Sequence, residues 1–526
     1  MFIIRKSTLL LLGALVCLLA FLPLIYGHFQ GNEQLVFTYT NATNAGDNLS
    51  YFSWIEQARQ GRILLWDLYT TEQQESGIFN PLFLVMGWLA YFTDWSNSTI
   101  YVLFRLLATV ALIFISYKFV GNFFKEKSWQ VLAWLLLLLG GGFDWIFPMY
   151  IDTVFIPDFM VFHNLISSLL QCVSLGLILG GLHIFLSRLN NPSLKWLLVF
   201  VICLTLLVLI HPYSYITVII VIGVYGLFQW FKNSNSNFFR HTLWALALSL
   251  PAWLWTAYIM GANPVFGIWA FSQSLVPSPE IYFTLASLGL FFGGGCLFMW
   301  LYGSGRIRSD RSVVLIVWFL GLLAMMYNPF FPNFARRFGQ GIFIPFIISS
   351  VSVLAYYSDR LARYKHGRFV TVTAVAVLGF CSLLTTIFII TGEIYVASKT
   401  EYPSYISKST EEALDWLKDN TDKHDKIMAG YYFGYLIPGA TGRQSFIGHY
   451  DQTVNFVQKR ALLREVLRQN ILGKNIADPL PQFMKDNNLQ YLVEDKEVRT
   501  MGKINIASGQ LMLSYSNSEV AIYKLR

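Results

Sequence analysis

Four titratable side chains lie within twenty residues, just after an apolar stretch of the chain. The segment GGGFDWIFPMYIDTVFIPDFMVFHN contains Asp144, Asp152, Asp158 and His163. Carboxylate oxygens and an imidazole at this spacing could hold a divalent cation such as Mg²⁺ or Mn²⁺. They could also supply a second carboxylate for acid and base catalysis. Solvated carboxylates at a membrane surface are the alternative interpretation of each acid taken singly.

Another carboxylate stands at the start of an amphipathic stretch, AGDNLSYFSWIEQARQG, where Asp47 follows Gly46. An Asp at this position could cap a helix, because its side chain accepts hydrogen bonds from the first free backbone N–H groups. The same carboxylate, ionised and beside a Gly that lets the backbone turn closely, could act as a general base. The sequence leaves both hypotheses open.

Two adjacent arginines, Arg336 and Arg337, occur in the segment NPFFPNFARRFGQGIFIP. Planar guanidinium groups are permanently charged and bind phosphate through paired hydrogen bonds. The pair therefore predicts a phosphate site. Anchoring to lipid headgroups is the alternative.

The elements that must position these side chains are strongly apolar. The 526 residues are 55% hydrophobic and 13% charged, against about 25% charged in ordinary soluble domains. Charge is concentrated at the end of the chain, where residues 393–526 hold 33 of the 68 charged residues. We therefore predict a membrane domain over residues 1–392 and a soluble domain over residues 393–526.

A membrane-spanning helix needs about 20 mostly apolar residues. This criterion predicts an all-α polytopic bundle of about eleven spans, at 8–26, 101–120, 129–147, 165–187, 195–210, 213–231, 241–260, 282–303, 312–329, 340–357 and 369–391. The apolar run 81–92 is shorter and begins with Pro81. We predict that it lies in the outer leaflet without crossing.

The basic residues of the loops set the predicted orientation. With the N-terminus in the cytoplasm, sixteen of them face inward and five face outward, as the positive-inside rule requires. The loop 27–100 and the C-terminal domain are then extracytoplasmic. Eleven of the fourteen acidic residues before residue 393 fall on the same side, so we expect a reaction centre there.

The C-terminal segment predicts a small α/β domain. Ser409 and Glu412 form a potential capping box for the helix TEEALDWLKDN, and QTVNFVQKRALLREVLRQN predicts a second amphipathic helix. The segments LQYLVE, LMLSY and EVAIYKL alternate like short strands.

Charge and cysteine content exclude several classes of function. The net charge is +8, but the 17 basic and 16 acidic residues of the C-terminal segment nearly cancel. The excess lies in membrane loops, so we predict no nucleic-acid partner. The five cysteines sit in apolar runs without paired spacing, which predicts neither disulfides nor a zinc site.

Taken together, the chain resembles the GT-C class of membrane glycosyltransferases, which includes protein O-mannosyltransferases and lipid A aminoarabinose transferases. The likeness is carried by Asp47 in a large first outer loop and by the Pro-led segment NPLFLVMGWLAYF. It continues with Arg105 in YVLFRLL and with RFGQGIFIP, which is similar to an R-[YF]-x-x-x-x-P segment of that class. The chain lacks an HxPP motif before the short helix and a WWD-type motif in the tail. The acceptor type is therefore not implied.

The resemblance implies transfer of a sugar from a polyprenyl-phosphate donor to a lipid, glycan or protein acceptor on the outer face of a cell membrane, with inversion. It implies roles for the residues above: Asp47, Asp152 and Asp158 in catalysis; Arg105, His163, Arg336 and Arg337 in substrate binding; and Asp47 with Asp158 for any divalent cation. A transporter or flippase is the main rival, but it would be expected to carry ionisable residues in mid-span and internal repeats. A receptor-like scaffold presenting the tail is a third possibility.

Overall fold

The computed structural model describes residues 5–146, 159–187, 193–234, 236–274, 277–328, 335–471, 479–502, 504 and 509–526. Asp152 and Asp158 lie outside these ranges, so their predicted roles receive no structural account.

Helices dominate the chain up to residue 398. They are α1 (Lys6–Gln30), α2 (Ala45–Arg59), α3 (Pro81–Thr93), α4 (Asn97–Val120), α5 (Lys127–Leu139), α6 (Val161–Ser167), α7 (Leu169–Ser187), α8 (Leu194–Ile210), α9 (Pro212–Asn233), α10 (Ser236–Ala262), α11 (Pro264–Ser274), α12 (Ile281–Leu288), α13 (Leu290–Gly303), α14 (Ser312–Met326), α15 (Phe343–Leu361) and α16 (Gly367–Ser398).

Seven helical stretches among the described residues are long and apolar enough to cross a membrane. They are α1, α4, α7, α9, α10, α16 and Ala335–Leu361, which contains α15. Helices α12 and α13 make an eighth if they form one span, although they meet at an angle of 91°. The chain is thus a multi-pass membrane protein.

Each of the eleven predicted spans contains a described helix, which confirms the polytopic helical architecture. Three of these helices, α5, α8 and α14, have only 13, 17 and 15 residues. The predicted span 282–303 is broken at Gly289, which has a φ of +56° that favours glycine. The number eleven therefore stays a prediction.

Helix α5 ends earlier than predicted because three glycines, Gly140 to Gly142, follow it. The unwound backbone finds its partners in other elements. The Gly141 amide donates to the Ser382 carbonyl (2.9 Å), and the Thr385 hydroxyl donates to the Gly142 carbonyl (2.9 Å). In an apolar environment such pairing is what allows non-helical backbone to persist.

The chain divides into two compact units. The first comprises Met1–Ile25, Leu103–Thr256 and Ser274–Tyr395, and the second comprises Tyr26–Val102, Ala257–Gln273 and Val396–Arg526. The last boundary lies close to the predicted one at residue 392. The predicted C-terminal domain is nevertheless part of a larger unit, which also contains the first long loop.

Two sheets lie in the second unit. A small antiparallel sheet joins β1 (Leu35–Phe37) to β2 (Tyr405–Ser407). A five-stranded mixed sheet follows the order β4-β3-β5-β7-β6, with strands β3 (Lys426–Met428), β4 (Gln444–Ser445), β5 (Tyr491–Glu494), β6 (Leu511–Ser516) and β7 (Ala521–Leu525). The remaining helices are α17 (Lys408–Asn420), α18 (Tyr431–Thr441), α19 (Phe456–Ile471), α20 (Pro479–Asp486) and α21 (Lys496–Met501).

The predicted α/β character of the tail is confirmed, with two corrections. Strands β3 and β4 are too short for the alternating pattern to reveal. The capping box predicted at Ser409 is wrong, because the N-cap of α17 is Ser407, whose hydroxyl accepts a hydrogen bond from the Thr410 amide at 3.1 Å.

Helix α3 corresponds to the short apolar run. Its N-cap is Asn80 and its first residue is Pro81, a combination that favours helix initiation. Large apolar side chains remain exposed along it and just after it: Val85, Trp88, Tyr91, Phe92 and Trp95. Such an aromatic face suits a helix that lies at a membrane interface.

The pairing of β1 with β2 requires the first long loop and the C-terminal segment to lie on one side of the membrane. The positive-inside rule predicts that this side is the outer one. In a cysteine-free background, Lys423→Cys should react with an impermeant maleimide on intact cells, whereas Ser309→Cys should react only after permeabilisation. Both positions are exposed. The reverse labelling pattern would invert the predicted orientation.

Candidate functional site

Asp47 lies in the first turn of α2, a helix that is almost entirely buried. Twelve of its fifteen residues are buried, including Asn48, Glu56 and Gln57. The N-cap residue is Asn44, so Asp47 is the third helical residue and not the cap. A carboxylate in the first turn still interacts favourably with the helix dipole, by about 0.3–1 kcal/mol.

Polar side chains of α2 form hydrogen bonds with other parts of the second unit, although Nδ2 of Asn48 has no partner among the described residues. Asn48 accepts a hydrogen bond from the Tyr101 hydroxyl at 2.5 Å. The Gln57 side chain accepts from the Trp66 amide (2.8 Å) and donates to the Trp66 carbonyl (3.0 Å). These bonds fix both the rotation of α2 and the path of the loop that follows it.

Glu56 is a buried carboxylate with two amide groups and one ammonium group around it. The side-chain amides of Gln60 and Asn97 donate to it at 2.9 and 2.8 Å, and the Lys418 ammonium lies 3.7 Å away. The Gln60 amide also donates to the Thr441 carbonyl at the end of α18 (2.9 Å). A buried charge is tolerated when it is paired in this way, so Glu56 secures α2 against the C-terminal segment.

Tyr435 of α18 and His449 approach the start of α2 at Gly46. A methyl group placed on Gly46 would overlap the Tyr435 hydroxyl oxygen and lie 3.5 Å from His449 Nε2. The absence of a side chain at Gly46 therefore allows these two groups to reach the residue next to Asp47. The negative charge of Asp47 also lies within electrostatic range of Tyr435.

His449 is buried and uncharged. Burial lowers the pKa of His449 from 6.5 to about 3. Its Nδ1 accepts a hydrogen bond from the Asp451 amide at 3.1 Å, which assigns the ring proton to Nε2. Its ring packs against Tyr435 and Tyr69, with centroids 5.0 and 5.7 Å apart. Burial also raises the pKa of Tyr435 above its usual value.

The loop after α2 is held by residues of the C-terminal segment. Lys459 pairs with Glu72 at 2.8 Å, and the Thr453 hydroxyl donates to the Tyr69 carbonyl at 2.7 Å. Within this loop, Asp67 accepts a hydrogen bond from the Tyr69 amide at 2.8 Å and is 3% exposed. Burial raises the pKa of Asp67 from 3.8 to about 7.

In the first unit, Arg336 and Arg337 lie in a 3-10 helical turn, Ala335–Gly339, and both are half-buried. Gln340, the next residue, is fixed by a polar network. Its amide donates to the Ser174 hydroxyl (2.7 Å) and the Gln171 carbonyl (3.2 Å), and its carbonyl accepts from the Ser214 hydroxyl. This network ties the arginine-bearing turn to α7 and α9.

His211 extends the same network at the break between α8 and α9. It is both the C-cap residue of α8 and the N-cap residue of α9, and its Nδ1 is 2.7 Å from the Ser214 hydroxyl. Pro212 follows as the first residue of α9 and prevents the helix from continuing through the break. His211 thus helps to shape the end of the membrane helices near Gln340.

Arg105 is fully buried, and its guanidinium group binds backbone carbonyls. It donates to the Leu165 carbonyl at 3.2 Å, to the Ile166 carbonyl, and to the Ala20 carbonyl at 3.4 Å. These carbonyls include the C-terminal end of α6, where a cation is favourable. Through these contacts Arg105 holds α1, α4 and α6 together. The proposed donor site therefore does not include Arg105.

The acidic segment before α6 is only partly described. Asp144 and His163 are both buried, with His163 in α6. Among the described residues, no group of three or more His, Cys, Asp or Glu side chains could hold a metal ion. Asp158, the second predicted ligand, lies outside those residues.

Several residues that contact α2 or the loop after it were not predicted from the sequence. Tyr435, His449 and Lys459 lie about 400 residues after Asp47, in a segment without a catalytic motif. Only the unusual density of aromatic residues in AGYYFGYLIPG and the isolated GHYD could have drawn attention to them. Gln340 was overlooked as a residue that organises the arginine-bearing turn.

The chain was compared with known proteins. No family model matches it, and no curated protein matches it significantly. Its fold matches the archaeal oligosaccharyltransferase AglB from Archaeoglobus fulgidus. The complex with an inhibitory peptide and a dolichol-phosphate gives a TM-score of 0.58 at 13% identity, covering 99% of this chain and 74% of AglB. The apo form of the Archaeoglobus fulgidus oligosaccharyltransferase gives a TM-score of 0.59 at 13% identity, covering 99% of this chain and 75% of that one.

ArnT from Cupriavidus metallidurans, bound to undecaprenyl phosphate, gives a TM-score of 0.49 at 11% identity, covering 97% of this chain and 98% of that one. This score is too low to support an argument. The AglB matches show that the chain has a GT-C-like fold, as predicted. At this identity they establish the fold alone.

The raised pKa of Asp67 has a consequence for stability. Because the pKa of Asp67 is higher in the folded than in the unfolded protein, protonated Asp67 stabilises the folded state. This contribution has its full value below pH about 4. This contribution is lost as the pH rises to about 7. Asp67→Asn should therefore be more stable than the native chain at pH 8 by a few kcal/mol, with a smaller difference at pH 5. Thermal unfolding at the two pH values measures this, with the exposed Asp419→Asn as the control. An equal difference at both pH values would contradict the prediction.

Proposed function

We propose that this protein transfers a sugar from a polyprenyl-phosphate donor to an acceptor on the outer face of the membrane, with inversion at the anomeric carbon. The observation that supports this most directly is Asp47, which a buried and fully packed helix presents at its first turn in a chain with a GT-C-like fold. Asp47 is the proposed general base.

Rigid presentation matters for this role. A base must stay within hydrogen-bond reach of the proton that it removes, and small misplacements are costly. The buried bonds of Asn48, Glu56 and Gln57 supply that rigidity. Mobile surface carboxylates lack such support.

Arg336 and Arg337 are the proposed phosphate ligands. Both are half-buried on a turn that Gln340 anchors to two membrane helices, so their position is well defined. Guanidinium groups can bind phosphate in a bidentate manner. The dolichol-phosphate in the AglB complex supports a lipid-phosphate donor as the class of substrate.

The reaction then balances without a further reactant. The acceptor hydroxyl loses its proton to Asp47 while its oxygen forms a bond to the anomeric carbon. The bond from that carbon to the phosphate oxygen breaks, and the electron pair leaves with the polyprenyl phosphate. The arginines stabilise the negative charge that develops on the leaving group.

A transporter or flippase of lipid-linked substrates is the alternative. Incubating the purified protein with a panel of polyprenyl-phosphate sugars separates the two functions. A glycosyltransferase consumes one donor and releases polyprenyl phosphate, whereas a transporter moves the donor unchanged.

If the arginines hold the donor phosphate, Arg336→Gln with Arg337→Gln should weaken donor binding by about tenfold or more, because charge-assisted hydrogen bonds are lost. Binding of the donor to the purified double variant measures this. The matched control is Arg360→Gln with Arg363→Gln, which removes the same charge from exposed positions. Equal donor affinity in both folded double variants would exclude the arginines from the site.

Asp47→Asn should reduce sugar transfer by about 100-fold or more, because an amide cannot take up the proton. The unfolding temperature should change little, since Asn is close to Asp in size. Glu33→Gln, an exposed acid of the same loop, is the control and should retain activity. If Asp47→Asn stays within a few-fold of the native rate, the base is another residue, and Asp152 and Asp158 become the next candidates.

A further inference from the structure

Two hydrogen-bond donors lie close to the start of α2. Tyr435 Oη and His449 Nε2 both approach Gly46. Neither atom has a hydrogen-bond partner among the residues that the structure describes, although the rest of each side chain is buried in the second unit. Both atoms can therefore donate a hydrogen bond to a ligand beside Asp47.

The chemistry of both groups is well defined. Nδ1 of His449 is occupied by the Asp451 amide, so Nε2 carries the proton and can only donate. The Tyr435 hydroxyl donates one hydrogen bond and can accept others. Both groups are uncharged at neutral pH, so together they present an uncharged surface beside Asp47.

We propose that Tyr435 and His449 form the acceptor subsite beside Asp47, and that the acceptor presents a neutral hydroxyl of a sugar. The inference rests on the proposed glycosyl transfer and names the class of its second substrate. It also gives the C-terminal segment a role in selecting that substrate.

The two hydrogen-bond donors of the subsite, Tyr435 and His449, favour an acceptor that attacks through oxygen. A hydroxyl oxygen has two lone pairs, so one can attack the anomeric carbon while the other accepts from Tyr435 or His449. An amide nitrogen has no lone pair to spare for such a bond. An anionic acceptor would have to leave water for two neutral donors, which is unfavourable.

The walls of the subsite favour a sugar among hydroxyl compounds. The rings of Tyr69, Tyr435 and His449 pack together, with centroids 5.0 to 5.7 Å apart. The ring of Tyr450, which is 58% exposed, stacks on His449 at 5.7 Å. The exposed ring of Tyr450, beside the polar atoms of Tyr435 and His449, matches a sugar ring that is apolar on its faces and carries hydroxyl groups at its rim.

Tyr435 and His449 keep their own protons throughout the transfer. The acceptor proton moves to Asp47, and the new bond joins the acceptor oxygen to the anomeric carbon of the donor sugar. The two side chains are therefore positioning residues that bind the acceptor. Their loss should affect the KM for the acceptor more than the binding of the donor.

The test uses the purified full-length protein, the donor consumed in the panel above, and three acceptor probes: methyl glycosides, an asparagine-containing peptide and water. Tyr435→Phe removes one hydroxyl. His449→Asn removes the Nε2 donor, whereas His449→Gln can retain a donor near that position. Tyr431→Phe, on the same helix and packed against Tyr435 (5.8 Å), is the matched control.

We expect native protein to transfer the sugar to a methyl glycoside. The KM for this acceptor should rise about tenfold in Tyr435→Phe and His449→Asn, and should change little in His449→Gln and Tyr431→Phe. The affinity for the donor should stay within a few-fold of native. An unchanged KM in the folded variants, an equal fall in donor affinity, or transfer to the asparagine peptide alone would each overturn the proposal.

A second measurement separates this inference from the proposed function. Saturation-transfer NMR with methyl glycosides and no donor reports binding directly. Glycoside binding that is weakened by Tyr435→Phe and His449→Asn, in a protein that consumes no donor, would retain the sugar site and reject glycosyl transfer. Donor consumption without any such binding would retain the transfer and reject the subsite.

Discussion

The buried position of α2 is the constraint on which the second unit depends. A helix with polar residues on every side cannot lie in a protein interior unless each of them finds a partner. Glu56 meets this condition by binding Gln60 and Asn97 and by lying close to Lys418. These contacts join the first long loop, the start of α4 and the C-terminal segment into one body, and the orientation of Asp47 follows from them.

The membrane part of the chain meets the same requirement by a different route. Its non-helical stretches, at Gly140 to Gly142 and around Gln340, are bridged by hydroxyl, amide and backbone groups of neighbouring helices. Arg105 belongs to this scheme, because a buried guanidinium group satisfies several carbonyls at once. Its burial and its partners indicate a structural role that the position at the start of a span could not distinguish from substrate binding.

The sequence was informative where the signal is local. Apolar runs predicted the polytopic helical architecture, and the Gly and Asp at the start of α2 marked a candidate site. It was uninformative where partners are distant. Asp47 was predicted, but Tyr435 and His449 were not, because their significance arises from contact with Gly46 across nearly 400 residues. The N-cap of α17 was misplaced for a simpler reason: Ser407 and Ser409 carry the same capping signal, and the pairing of β2 decides between them.

The pairing of β1 with β2 also constrains how the protein is made. Strand β1 and helix α2 leave the ribosome early, but their partners are separated from them by most of the chain. The Gln452 amide that binds Ser50 lies 402 residues later, and the Thr441 carbonyl that binds Gln60 lies 381 residues later. Contacts of this range form late in folding. The first loop must therefore remain incompletely packed until the last membrane helix has been inserted and the final segment has been released. Any chain that terminates before β2 would lack the partners that Ser50, Glu56 and Gln60 find in the C-terminal segment, and we expect quality control to remove it.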